Sequence, residues 1–359
     1  MKKSLAKWLL PMIVILNACS KDDVNPGPPV LTAAKGLYIL SEGSSNNSKL
    51  GYYNLATGVL TGDFFGQQNP SSSGLGSLAN DMIQYGSKLY IVMNGSSNVT
   101  VLNASNAVFI KQIPFINGSV AMQPRYAASY KGNVYVTSTI DSSVSVIDTS
   151  SLSIIKTIHV GRNPEGLAIV GNKMYVANSG GYTFGAVDST VSVIDLNTQT
   201  EIKRIKTATK NGQRVDVNSM GDVYVSGYGD FADAPASVSI ISSITDNVKL
   251  EMGPAFGYSN VRIYDDVAYF YNTYGGTGTC KLYNTITNTV LRPEFITDGT
   301  LITNAYGINV DEQNGDVYIL DSKSFPSTGV ANCFDKNGVK KFSFSVSPGV
   351  GPNKVLFIR

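Results

Sequence analysis

Leu37-Tyr38-Ile39-Leu40, Leu89-Tyr90-Ile91-Val92, Val134-Tyr135-Val136-Thr137, Met174-Tyr175-Val176-Ala177, Val223-Tyr224-Val225-Ser226, Ala268-Tyr269-Phe270-Tyr271 and Val317-Tyr318-Ile319-Leu320 are one short strand written seven times. Their tyrosines lie 40 to 52 residues apart, which is the length of a four-stranded antiparallel unit. β-Branched and aromatic residues punctuated by Gly, Asn and Asp suit many short strands. The chain therefore reads as all-β: a single seven-bladed β-propeller with four-stranded antiparallel blades.

The fourth repeat shows the whole unit. Residues 166–170 form a first strand, Gly171-Asn172 a tight turn, 173–178 the tyrosine strand, 190–196 a third strand, 197–200 a turn and 201–207 an outer strand. Outer strands carry charges such as Glu201, Lys203 and Arg204, as an exposed edge requires. Six tyrosine strands follow a candidate inner strand, at 78–85, 125–130, 166–170, 214–220, 260–264 and 306–311, and the first has none. The chain ends in Asn353-Lys354-Val355-Leu356-Phe357-Ile358, an apolar strand with no successor. The expectation is that this strand completes the first blade and closes the ring without a disulfide.

Outside the repeats, residues 1–18 read as a lipoprotein signal peptide. Lys2, Lys3 and Lys7 precede an apolar stretch too short to span a bilayer. Leu16-Asn17-Ala18-Cys19 resembles a bacterial lipobox, with Cys19 as the lipidated residue and new N-terminus. The acidic run Ser20-Lys21-Asp22-Asp23 resembles the signal that sends lipoproteins of Bacteroidetes to the outer face of the outer membrane. Residues 19–34 are then the lipidated cysteine and a Pro-rich tether, and 35–359 the propeller. Removing the three signal lysines from 28 basic residues leaves 25 against 26 acidic ones, a balance that gives nucleic acid little long-range attraction. Cys280 and Cys333 fall on equivalent strands of neighbouring blades, which disfavours a bridge between them but leaves it open.

Residues 134–207 carry the most recognisable text: Val144-Ser145-Val146-Ile147-Asp148, Asn163-Pro164-Glu165-Gly166, Tyr175-Val176-Ala177-Asn178 and Thr190-Val191-Ser192-Val193-Ile194-Asp195. This resembles the surface-layer type (YVTN) propeller repeat and, with the lipoprotein start, is similar to the YncE-like surface lipoproteins of Bacteroidetes. The match is close over two blades. Within that group the BtuG-type propellers capture corrinoids, the vitamin B12 class, and sit on a TonB-dependent outer-membrane transporter. The resemblance implies a lipid-anchored protein at the cell surface with a corrinoid ligand and such a transporter as partner.

Chemistry is sparse. His159 is the only histidine, which removes any triad or multi-histidine metal site. Asp148 and Asp195 recur at equivalent strand ends, as turn residues do. No paired carboxylates of glycosidase type stand out, and neither an enzymatic activity nor a cofactor or metal is expected. What remains is the face where the links from second to third strand, and from outer strand to the next inner strand, emerge together. Candidate ligand residues on the first kind of link are Asn94, Asn178, Tyr182, Phe184, Tyr228, Asp230, Phe231, Tyr274 and Phe325. Those on the second kind are Arg125, Arg162, Arg214, Tyr258 and Tyr306. These assignments rest on loop placement, not on the resemblance. Glu42 also lies in such a link.

Aromatic rings beside carboxamides and arginines suit a large, flat ligand rimmed with amides, and equally a glycan. The leading reading is a non-enzymatic surface lipoprotein that binds a small molecule, a corrinoid, for delivery to a transporter. The alternative is a surface propeller that recognises a protein or glycan as an adhesion or assembly module, and an enzyme such as a lyase or a quinoprotein-like dehydrogenase subunit is a third.

Overall fold

The computed structural model describes residues 32–181, 186–253, 256–273 and 280–359. Seven four-stranded antiparallel sheets form the blades of a propeller. Blade 4 runs from the inner strand Pro164–Val170 through Lys173–Asn178 and Thr190–Asp195 to the outer strand Thr200–Lys206, close to the sequence expectation. In blade 1, Pro352–Ile358 is the inner strand and pairs antiparallel with Gly36–Ser41, so the two ends of the chain share one sheet. The remaining inner strands are Ala79–Tyr85, Pro124–Tyr130, Gly212–Val217, Asn260–Tyr264 and Ala305–Val310, in blades 2, 3, 5, 6 and 7. Each inner strand packs against the next, and the last against the first, which closes the ring.

The tyrosine repeat exists because of what each ring touches. Tyr38, Tyr90, Tyr135, Tyr175, Tyr224, Tyr269 and Tyr318 are all buried. Each packs on the second strand of the following blade: Tyr135 with Met174 and Val176, Tyr175 with Val223 and Val225, Tyr318 with Leu37 and Ile39. Burying a side chain of this size contributes about 1.5–3 kcal/mol, repeated at every interface. A phenylalanine would fill the same space. Three of the hydroxyls add a tie by reaching the last turn of the next blade: Tyr224 donates to the Thr285 carbonyl at 3.3 Å, Tyr135 accepts from Gln199 at 3.3 Å, and Tyr175 donates to the Asp246 carboxylate.

Inner strands leave one edge facing the axis, and its N–H groups need acceptors. Side chains of neighbouring blades supply them. Asp81 accepts from Ala127 N at 3.0 Å, Asp216 from Ile263 N at 2.8 Å, and Asn309 from Val355 N at 2.9 Å. Glycine permits the tightest approaches. A Cβ on Gly307 would lie 2.2 Å from the Asn353 carbonyl oxygen, and one on Gly166 would lie 2.7 Å from that of Gln213.

Three features depart from the expected strands. The inner strand of blade 5 was expected at 214–220 but ends at Val217, because Asn218 Oδ1 accepts from Met220 N at 3.1 Å and Asp222 N at 2.8 Å and turns the chain. A short helix, Phe64–Gln68, sits in the link from blade 1 to blade 2, capped by Asp63 accepting from Gly66 N. A two-stranded ribbon, Ile116–Asn117 with Val120–Ala121, stands in the link from blade 2 to blade 3. Cys280 and Cys333 are free, buried thiols on the third strands of blades 6 and 7.

Candidate ligand site at the channel mouth

The end of the ring where inner strands begin is built by one device repeated around the axis. Just before or at the start of the inner strand, a residue takes a left-handed backbone conformation: Leu78, Gln123, Asn163, Asn211, Gly257 and Gly351, with φ between 46° and 65°. All but two of these six are not glycine, and the left-handed conformation costs such a residue about 1–2 kcal/mol. The carbonyl of five of them accepts from the backbone N–H just past the second strand of the same blade. These bonds are Asn94 N to Leu78, Thr139 N to Gln123, Ser179 N to Asn163, Tyr228 N to Asn211 and Glu42 N to Gly351, at 2.9–3.2 Å. Ser322 N to Asn304 repeats it in blade 7, and in blade 6 the Asn272 side chain donates to Gly257.

Two residues after that turn the inner strand slips register. The extra residue is Asn80, Gln213, Tyr306 or Asn353 in blades 2, 5, 7 and 1, and the pairs Arg125-Tyr126 and Glu165-Gly166 take this place in blades 3 and 4. A bulge re-aims the side chain it carries. Here the bulges of blades 1, 2, 3 and 7 turn side chains toward the channel mouth, where Ser259 holds the same place in blade 6, while Gln213 and Glu165 are buried.

A cavity of about 530 Å³ opens there. From the bulge ring it is lined by Asn80, Arg125, Ser259, Tyr306 and Asn353, with Tyr126 and Arg214 one residue further on. A second ring lies four residues after each conserved-spacing tyrosine and contributes Glu42, Tyr228 and Thr273. Phe231, Ala236 and Asn272 complete the wall.

Its electrostatics are set by two arginines and two glutamates. Arg125 Nε donates to Glu165 at 2.7 Å, and Glu165 is fully buried, so burial pushes its carboxyl up while Arg125 opposes the shift. Arg214 Nε donates to Asn260 Oδ1 at 3.2 Å, and its guanidinium lies 4.5 Å from the Tyr126 ring centroid. Burial raises the pKa of Glu42 as well, against the Tyr306 hydroxyl that donates to it and the charges of Arg125 and Arg214. Asn80 donates to the Arg125 carbonyl, and Asn353 to the Ala79 carbonyl at 2.8 Å, which fixes the amides of the wall. Among the described residues no group of three or more His, Cys, Asp or Glu is placed to hold a metal.

Of the residues singled out in the sequence, the structure brings Arg125, Arg214, Tyr228, Phe231 and Tyr306 together on this wall. Phe325 packs edge-on against Tyr306, with centroids 5.7 Å apart, above the wall. The others lie elsewhere. Asn94 is buried, donating to the Pro124 carbonyl at 3.3 Å. Asn178 is fully buried and donates to Thr190 and Ser192. Arg162 is exposed and reaches the Ala186 carbonyl at 2.8 Å. Asp230 pairs with Lys210 at 2.8 Å and accepts from Ala232 N and Ala234 N, which shapes the loop carrying Phe231 and holds its pKa well below the usual range. Tyr258 packs edge-on against Phe256 and at a tilt against Phe270, and Lys281 Nζ lies 4.8 Å from its ring centroid. Cys19, Tyr182, Phe184 and Tyr274 lie outside the described residues.

In the sequence Asn80, Tyr126 and Asn353 look like ordinary inner-strand residues, because a bulge leaves no mark in alternation. Glu42 carried a usable signal: it is the only carboxylate at the position four after a repeat tyrosine.

No protein-family model matches the chain, and no curated protein matches it in sequence. Solved structures do. The chain resembles a quinonprotein alcohol dehydrogenase-like protein of Bacteroides thetaiotaomicron with TM-score 0.63 at 15% identity, covering 90% of this chain and 78% of that one. A computationally designed protein, Ika8, gives TM-score 0.60 at 12% identity, covering 92% and 93%. Virginiamycin B lyase from Staphylococcus aureus gives 0.57 at 13% identity, covering 74% and 83%. What they share with this chain is the propeller. At these identities the likeness extends to fold alone.

Proposed function

We propose that this protein is a binding protein that captures a small molecule at the channel mouth, and that the molecule is a corrinoid handed on to a TonB-dependent outer-membrane transporter. The observation that carries the reading is the convergence of Arg125, Arg214 and Glu42 with Tyr126, Tyr228, Phe231 and Tyr306 around one cavity of about 530 Å³. That size falls among small-ligand sites, and its mixture of rings, carboxamides and charge suits an apolar body with a polar rim. A corrinoid is larger than the cavity. It would seat one edge there and rest the remainder on exposed rings such as Phe231 and Phe325. In this reading Cys19 carries the lipid that holds the propeller at the outer face of the outer membrane, and Cys19→Ala should move the protein from the membrane to the soluble fraction.

Titration calorimetry of residues 32–359 with cyanocobalamin tests the ligand. Saturable one-to-one heat that Tyr228→Ala weakens supports it, and absence of heat at high micromolar protein sinks the corrinoid. One observation favours a second reading, proton-transfer chemistry of lyase type: Glu42 is a half-buried carboxyl with a raised pKa, beside a tyrosine hydroxyl, in a cavity. Turnover of a bound ligand that stops in Glu42→Gln while binding persists would support it.

A further inference from the structure

The two arginines of the cavity are held differently. Arg125 has its charge balanced by the buried carboxylate of Glu165 at 2.7 Å. Arg214 faces no carboxylate at ion-pair distance among the described residues. Its Nε is taken by the neutral Asn260 oxygen, one face of the guanidinium lies over Tyr126, and neither Nη hydrogen-bonds within the described chain. The Tyr126 ring and the Nε bond hold the group at the cavity that it lines. An edge of two parallel N–H donors matches the two oxygens of a carboxylate or a phosphate. Of the described groups on the wall around it, Glu42 is the one carboxyl and accepts from the Tyr306 hydroxyl, while Asn80, Ser259, Asn272, Thr273 and Asn353 are neutral.

We infer that the cavity selects a ligand bearing an anionic group, a carboxylate or a phosphate, bound edge-on at Arg214, with the apolar part of the ligand against Tyr126, Tyr228 and Phe231. This deepens the small-molecule reading and rests on it. Arg214 is the specificity-determining residue, and Arg125 with Glu165 is the neutral scaffold beside it.

The test compares benzoate, its uncharged counterpart benzamide and inorganic phosphate by ligand-observed NMR titration of the propeller at neutral pH. A charge-assisted pair predicts benzoate binding about tenfold or more tighter than benzamide. Arg214→Gln should bring benzoate down to the benzamide level and leave benzamide unchanged. Arg214→Lys retains the charge without the fork, guards against a folding defect, and should recover only part of the preference. Phosphate displacing benzoate and binding more tightly identifies a phosphate ligand, and the reverse order identifies a carboxylate.

Equal binding of benzoate and benzamide, or a benzoate preference that survives Arg214→Gln in a normally melting protein, overturns the inference. So does failure of both benzoate and phosphate to bind. If cyanocobalamin still binds under those outcomes, the capture reading stands while the anion subsite falls; if it does not, both fall.

Discussion

Blades 4 and 5 are neighbours with the same strand plan and opposite uses. Blade 4 is the most regular repeat, and among its described residues none lies on the cavity wall: its bulge residue Glu165 is buried against Arg125, and Ser179, four after Tyr175, is buried and donates to the Asn163 carbonyl at 2.7 Å. Blade 5 puts Arg214, Tyr228, Phe231 and Ala236 on that wall. Where the repeat is kept, side chains answer to the next blade. Where it drifts, at the same backbone positions, they are released to the cavity. Regular text therefore marks the scaffold, and departures from it at fixed offsets mark the site.

The sharpest way to break this comparison is to remove something both blades depend on. Deleting residues 352–358 takes the inner strand from blade 1 and leaves Gly36–Ser41 with an unpaired edge at an open ring. The expected loss exceeds the whole stability of a typical domain, about 5–15 kcal/mol, and circular dichroism should show no cooperative melt. A melt like that of the intact chain would mean that blade contacts hold the ring without the clasp.

Tyr175→Ala, in blade 4, should cost about 3–5 kcal/mol by urea unfolding, because it empties a fully buried site between blades and cuts the tie to Asp246. Binding per folded molecule should not change. Tyr228→Ala or Phe231→Ala, in blade 5, should do the reverse: stability within about 1 kcal/mol of the parent, since Phe231 is 45% exposed, and affinity for the captured ligand down about tenfold. If the blade 5 substitutions destabilise as Tyr175→Ala does and leave binding intact, the division between scaffold and site is wrong.

The smallest effect concerns Glu42. Burial lifts its pKa above the ordinary 4.5, so the native state keeps a proton that the unfolded chain gives up as pH passes that value. Its contribution to stability is full below 4.5 and declines as pH rises through the raised pKa. Glu42→Gln should flatten that decline, by at most about 1.4 kcal/mol per pH unit, in urea midpoints followed from about pH 4 to 8. An unchanged pH profile would place Glu42 in water rather than in the wall.

Spacing alone determined a good deal here. Tyrosines 40 to 52 residues apart, each in a strand of buried type, determine seven four-stranded blades, because a strand sandwiched between blades needs large apolar side chains at one recurring place. The orphan strand after Asn353 and the missing partner of Leu37-Tyr38-Ile39-Leu40 determine the closure, since an unpaired inner strand leaves backbone groups unsatisfied. The loop face was legible too, and five of its candidates meet on one wall.

Only the tertiary structure decided which residues those are and what state they hold. Asn178 and Asp230 look as free in the sequence as Tyr228, yet one is consumed by Thr190 and Ser192 and the other by its own loop. Asn80, Tyr126 and Asn353 enter the wall through bulges, which depend on a left-handed turn and a hydrogen bond to another strand. The pairing of Arg125 with Glu165, and the stacking of Arg214 on Tyr126, join blade 3 to blades 4 and 5. Repeats are local along the chain and can be read from it. A site at the axis is a meeting of several blades, and its charges take their values from neighbours that are distant in sequence.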